Sequence, residues 1–213
     1  MRTKFLSRRG FTLIELLTVI AIIGILAGMA IPIMAVVKKK AKIAASKAAF
    51  QQMCTAVEQY KAEYATYPYI GGQYKTNDDT FIQLNNTAAV TEFIKCLSGR
   101  TPIWEGNGAL SAGAGGDARK FNRNAKEFYA FPPDVIQTSD NGAYTQLLCD
   151  KFGNTSLNLL MDTDGNGMVK PTNITTGTPS DYGIDQNGYI NRKVVIYTLK
   201  GSSTDYEDVL SWQ

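Results

Sequence analysis

Residues 11–37 read FTLIELLTVIAIIGILAGMAIPIMAVV, and only one formally charged side chain, Glu15, interrupts them. As a helix this run is ~40 Å long, enough to cross a hydrocarbon layer of ~30 Å. The apolar part of an ordinary secretory signal is roughly 7–15 residues and ends at a small-x-small cleavage site. Here the run is longer, and the helical pattern continues through Lys38 to about Tyr64. The expectation is a membrane-spanning helix whose second half enters a folded domain. Gly24 and Gly28, four residues apart, permit close helix contact in a membrane, although small residues are tolerated in any such helix. Pro32 removes one backbone donor and is expected to kink the helix.

Charge is distributed around this run in blocks. Arg2, Lys4, Arg8 and Arg9 precede it, and Lys38, Lys39, Lys40, Lys42 and Lys47 follow it, with no acid in either block. From Ala48 onward there are 13 basic against 18 acidic residues, a balance of −5, although the whole chain is +3. The basic character therefore belongs to the N-terminal arm and gives no support to a nucleic-acid partner. Basic residues on both sides leave the positive-inside count undecided. The short, wholly basic leader and the long acidic domain place the N-terminus in the cytoplasm and the domain outside the inner membrane. No histidine occurs, which removes the commonest general base and transition-metal ligand. The spacing of Cys54, Cys96 and Cys149 fits no zinc or redox motif. One disulfide and one spare thiol, or three small buried apolar side chains, both remain open.

Glu15 is the residue in the run that needs explaining. A carboxylate in lipid is costly unless it is paired, neutralised or close enough to the interface to stay hydrated. Residues 11–37 contain no Lys or Arg to pair with it. If the chain is cut after Gly10, a new α-amino group appears on Phe11, and a neighbouring subunit's Glu15 becomes a partner for it. The stretch Gly10-Phe11-Thr12-Leu13-Ile14-Glu15 resembles the cleavage and methylation motif of type IV prepilins, with Gly24 and Pro32 at positions where such helices often carry glycine and proline. The resemblance implies a membrane prepilin peptidase that cuts after Gly10 and methylates Phe11, and Glu15 as an assembly residue. Loss of the leader takes the side-chain balance from +3 to −1.

Beyond the membrane, Ala45, Ala49, Met53, Val57, Tyr60 and Tyr64 recur at three and four residues and predict one buried helix face. Pro68 ends the helix near residues 64–66. Residues 69–86 read as polar and turn-rich. Residues 88–98 predict a short helix with Thr87 as cap, Gly99 as stop, and Val90, Phe93, Ile94 and Leu97 inward. Residues 105–117 form a glycine-rich loop without the lysine of a phosphate loop. Phe128, Tyr129 and Phe131 read as core or subunit-contact aromatics, with base stacking as the alternative. Residues 155–161, 189–190 and 194–199 are strand candidates, separated by turn signals such as Asn141-Gly142, Gly153-Asn154 and Asn187-Gly188. The expected fold is α+β, a long N-terminal helix packed on a small antiparallel sheet. Its organisation is a leader at 1–10, a membrane and filament-core helix at 11–37, its continuation at 38–66, and an α+β domain at 67–213. Residues Ala56-Val57-Glu58-Gln59-Tyr60-Lys61 with Tyr67-Pro68, Asp150-Lys151-Phe152-Gly153-Asn154, and Val209-Leu210-Ser211-Trp212 resemble the major pseudopilin of type II secretion.

Two acidic loops suggest a structural calcium ion. In residues 162–168, Asp162, Asp164 and Asn166 alternate with glycines, as oxygen ligands around a hard cation do, and Met168 has a main-chain carbonyl to offer. Residue twelve of that pattern is Asn173 and Pro171 opposes an exiting helix, so this is a calcium turn, not an EF-hand. Asp181 and Asp185 are the nearest further ligands; a solvated acidic turn is the plain alternative. The pseudopilin resemblance implies a second loop, with Leu199, Ser202, Asp205 and Asp208.

The expected function is structural. Subunits would bundle their helices in a homo-oligomeric helical filament, as a type II secretion pseudopilin or, alternatively, as a type IV pilus pilin. Partners implied by the resemblance are the prepilin peptidase, other pilins or pseudopilins, and an inner-membrane assembly platform. The competing class is a membrane-tethered binding module or enzyme. With no histidine and no nucleophile motif, an enzyme is not expected. A minor pilin that binds DNA is disfavoured by the acidic balance after Ala48.

Overall fold

The structure, a computed structural model, describes residues 11–72, 78–102, 117–138, 144–171, 174, 182–200 and 206–212. The chain divides into two units, Met1–Ala41 and Lys42–Gln213. Helix α1, Leu13–Tyr64, begins in the first and ends in the second.

The first unit has no core among its described residues. Phe11 and Leu13 are each 82% exposed, and among the described residues every exposed large hydrophobic side chain except Tyr69 lies between Phe11 and Val37. No single helix among the described residues is long and apolar enough to cross a membrane. Leu13–Met29 and Met34–Tyr64 meet that test only together, as a bent pair. Helix α1 itself runs on through residues 30–33, and the two stretches are bent by 44° about them. That is where Pro32 withholds a backbone donor from the helix ladder.

The second unit is built around the rest of α1. Phe50, Met53, Val57 and Tyr60 turn inward, and Ser46 continues the stripe toward the N-terminus. The expected stripe is thus shifted at its start: Ala45 is exposed and Ser46 buried. A polar residue is tolerated there because its Oγ accepts the Lys151 amide at 2.9 Å. The helix stops at Tyr64, followed closely by Pro68.

A four-stranded antiparallel sheet carries the core. Its strands are β1 (Thr80–Leu84), β4 (Leu157–Met161), β5 (Val194–Thr198) and β6 (Val209–Leu210), in the order β1-β4-β5-β6. A separate hairpin pairs β2 (Ile136–Thr138) with β3 (Tyr144–Leu148). Alternation of side chains divides β4 and β5 between two faces. Leu157, Leu159, Met161, Val194 and Ile196 join α1 in the main core, while Leu160, Val195 and Tyr197 pack with Val169, Tyr182, Ile190 and Leu210. Both faces are covered, so these strands read as continuous apolar runs in the sequence.

Helix α2, Thr87–Ser98, lays Val90, Phe93, Ile94 and Leu97 on the main core, as its periodicity predicts. Its cap is Asn86, not Thr87: the Asn86 side chain accepts the Ala89 amide at 2.9 Å. Gly99 ends it at φ +67°, and a Cβ there would lie 2.5 Å from the Ala125 carbonyl carbon. A short helix α3, Ala118–Phe121, follows. Strands β1, β2 and β3 stand where no strand was expected, whereas the expected strand at 189–190 is a single bridge between Ile190 and Val169.

Phe128, Tyr129 and Phe131 point into the core. Tyr129 meets Phe131 edge-on at 4.8 Å, and Phe131 meets Phe93 at 5.9 Å. All three cysteines are free and buried, so the small-apolar reading holds and the disulfide does not.

Candidate functional site

At the N-terminus, Thr12 and Glu15 form a reciprocal cap on α1. The Thr12 amide and hydroxyl donate to Glu15 Oε2 at 2.8 and 2.7 Å, and the Glu15 amide donates to Thr12 Oγ1 at 3.3 Å. This capping box fixes where the helix starts and holds the carboxylate beside the first turn, next to Phe11. The Thr12 amide survives a cut after Gly10, because the Phe11–Thr12 peptide bond is untouched. Gly10 lies outside the described residues; Phe11 is exposed and accessible.

The acidic turn lies at the end of the main sheet. Antiparallel register pairs Thr80 with Met161. Continuing that register by one residue sets Asp79 beside Asp162. Asp162 is 1% exposed, and its two oxygens accept the amides of Gly165 at 2.7 Å and Gly167 at 3.0 Å. Both glycines have positive φ, which turns their amides inward at little steric cost. Asp164 Oδ1 accepts the Asn166 amide at 3.0 Å. The Asn166 side chain braces this turn, donating to Asp164 Oδ2 at 2.8 Å and accepting the Met168 amide at 2.7 Å. Thr163 Oγ1 donates to the Asp78 carbonyl at 2.5 Å and lies 3.0 Å from Thr80 Oγ1, which locks the two segments together.

Ligand-capable oxygens of Asp79, Asp162 and Asp164 lie within 4.8 Å of one another. Asp79 is 8% exposed. Its Oδ2 accepts the Lys170 amide at 2.7 Å, while its buried Oδ1 has no hydrogen-bond partner. Burial pushes the Asp79 carboxyl above its ordinary range, and the charges of Asp164, Asp162 and Asp78 push the same way against the Lys170 hydrogen bond.

The other expected ligands fall elsewhere. Asp185 caps its own turn, accepting the amides of Asn187 at 2.9 Å and Tyr189 at 2.7 Å, and is not part of the three-acid cluster. Asp181, Ser202 and Asp205 lie outside the described residues. In the second loop, Asp208 accepts the Lys200 amide at 2.6 Å and the Tyr182 hydroxyl at 3.2 Å, and the Leu199 carbonyl accepts Asn154 Nδ2 at 3.0 Å. Asp79 is the cluster member that sequence reading missed. Its only local signal is the Asp78-Asp79 pair before a short alternating stretch.

The ending of the chain is anchored. Trp212 Nε1 donates to the Tyr182 carbonyl at 2.6 Å and its ring meets Tyr197 edge-on at 5.5 Å. The turn at Asp150 is knotted by its own carboxylate, which accepts the amides of Phe152 and Asn154 and the hydroxyl of Thr198.

No curated protein and no solved structure matches the chain. Residues 6–31 match the family described as the Prokaryotic N-terminal methylation motif, which contains Gly10, Phe11 and Glu15. That motif is found in type IV pilins and pseudopilins, and the N-terminal segment is accordingly type IV pilin-like.

Proposed function

We propose that this chain is a structural subunit of a type II secretion pseudopilus, cut after Gly10 by prepilin peptidase and N-methylated on Phe11. The observation that carries the reading is the pairing of a methylation motif with an uncovered apolar helix. From Phe11 to Val37 the described large side chains are exposed. Exposed apolar surface of this extent needs a cover, lipid first and neighbouring copies of the same helix after assembly. The second unit has its own core, so it stays folded in either setting.

In this reading Glu15 meets the methylated amine of Phe11 on an adjacent subunit, which pairs two charges inside an apolar bundle. The inner-membrane platform feeds subunits from the bilayer into a homo-oligomeric filament. The similarity of residues 56–68 and 209–212 to major pseudopilins supports a pseudopilus over a type IV pilus.

Mass spectrometry of assembled material tests the processing step. The expected N-terminal peptide starts at Phe11 and carries one added methyl group; an intact Met1 in filaments would sink the proposal. Deletion of the gene distinguishes the two filaments. Exoproteins retained in the periplasm support a pseudopilus, whereas loss of surface fibres with normal secretion assigns the chain to a pilus.

A further inference from the structure

We propose that Asp79, Asp162 and Asp164 hold one calcium ion that ties the segment leading into β1 to the turn leaving β4. Asp162 and Asp164 belong to a calcium-like loop by sequence, but Asp79 reaches them only through the β1–β4 register. The inference does not depend on the filament reading.

Two independent observations support a ligand here. The first is convergence: three carboxylate oxygens lie within 4.8 Å of one another, and none of the three acids has an ion pair among the described residues. Lys170 contributes its backbone amide, and its ammonium stands 5.6 Å over the Tyr189 ring. The second is the orphaned oxygen. Asp79 is more than nine-tenths buried and its Oδ1 has no donor. A buried carboxylate oxygen without a donor is costly, and costlier beside two like charges. A bound cation removes both costs at once.

The donor chemistry selects the ion. Every side chain in the cluster offers oxygen, and no cysteine or histidine belongs to it, which suits a hard divalent cation and not zinc or copper. Calcium accepts irregular carboxylate sets and fills its remaining positions with water and main-chain carbonyls, whereas magnesium demands a near-ideal octahedron. The carboxylates are pre-oriented by amides of Gly165, Gly167, Asn166 and Lys170. Each of these bonds occupies one lone pair and leaves others for the ion.

The test uses the full chain in detergent, stripped with chelator and titrated with calcium chloride. Bound metal, calorimetric affinity and melting temperature are read together. The expected result is one ion lost, and the melting temperature restored, in a manner that Asp79→Asn and the exposed-site variant Asp164→Asn both weaken by about tenfold or more in affinity. Without calcium, Asp79→Asn melts no lower than the parent, because it removes one of three clustered charges; with calcium the order reverses. Asp208→Asn leaves this titration unchanged. The proposal is overturned if the stripped chain takes up no calcium, if Asp79→Asn binds it as tightly as the parent, or if the loss follows Asp208→Asn instead.

Discussion

Asn122 Oδ1 accepts a 2.6 Å hydrogen bond from the Tyr64 hydroxyl, joining the last residue of α1 to the segment just after α3. Asn122 is fully buried and uses all of its side-chain capacity. Its Nδ2 donates to the carbonyls of Cys96 at 2.9 Å and Lys126 at 2.7 Å, and its Oδ1 also accepts the Lys126 amide at 3.0 Å. Asn122→Ala strands several buried polar groups and is expected to cost about 3 kcal/mol, whereas Tyr64→Phe removes the bond to Asn122 and a more exposed one from the Asn124 amide and costs about 1 kcal/mol. Urea unfolding of the two variants and their double mutant measures this. Equal costs would mean that Asn122 is not the hub.

Gly99→Ala is expected to destabilise by about 2 kcal/mol or more. The substitution forces a side chain into left-handed backbone and drives its Cβ against the Ala125 main chain, which has no rotamer to yield. Thermal unfolding checks it, with Gly71→Ala as the comparison: that site shares a positive φ but has open space around it. The difference between the two isolates the clash from the dihedral strain.

Glu15→Gln separates capping from charge. Glutamine serves at the third position of a capping box as glutamate does, so the helix start should survive and cleavage should proceed. The negative charge does not survive, so filament yield should collapse as far as it does for Glu15→Ala. Pull-down of sheared filaments, with immunoblotting for processed chain, gives both readouts. Normal filaments from Glu15→Gln would assign Glu15 to the cap alone.

Burial pushes the thiols of Cys54 and Cys96 up to about 12, and that of Cys149 up to about 11, from an ordinary value of 9.0. At Cys96 the charge of Glu92 adds to the burial; at Cys54 the Ser211 hydroxyl opposes it. The folded state therefore keeps these protons longer than the unfolded chain does. Their contribution to stability is full below pH 9 and is lost as pH rises from about 9 through the folded values. Iodoacetamide at pH 8 should leave Cys54 and Cys96 unmodified in the native protein and label all three after denaturation. Denaturation midpoints should be level from pH 7 to about 8.5 and fall above pH 9, less steeply in Cys96→Ala.

The parts legible in the sequence were those whose signal is local. The end of α1, the inward face of α2 and the strands β4 and β5 each announce themselves within a dozen residues, through periodicity, a glycine stop or a continuous apolar run. Strand β1 does not. Its five residues alternate too briefly between polar flanks, and the strand it needs lies on a segment whose Thr163 is 83 residues from Thr80. The same distance hid Asp79, since only the register of that pairing brings it to Asp162. Ser46 is hidden for a related reason. A serine on an apolar stripe reads as a break until Lys151, far along the chain, supplies its partner. The capping role of Glu15 has a local signal, the capping-box spacing of Thr12 and Glu15, but a carboxylate in an apolar run signals an intermolecular pair just as strongly.

Ser211 closes bonds to the second half of α1. Gln51 Nε2 donates to the Ser211 carbonyl, Cys54 faces the Ser211 hydroxyl, and that hydroxyl accepts the Ile196 amide at 3.0 Å. These bonds join positions 160 and 157 residues apart, so α1 cannot satisfy this part of its surface until Ser211 has been synthesised. The two-residue strand β6 must wait equally long to complete the sheet. Completion of the sheet therefore rests on pairings of long sequence separation, which form more slowly than the local contacts of α1 and α2.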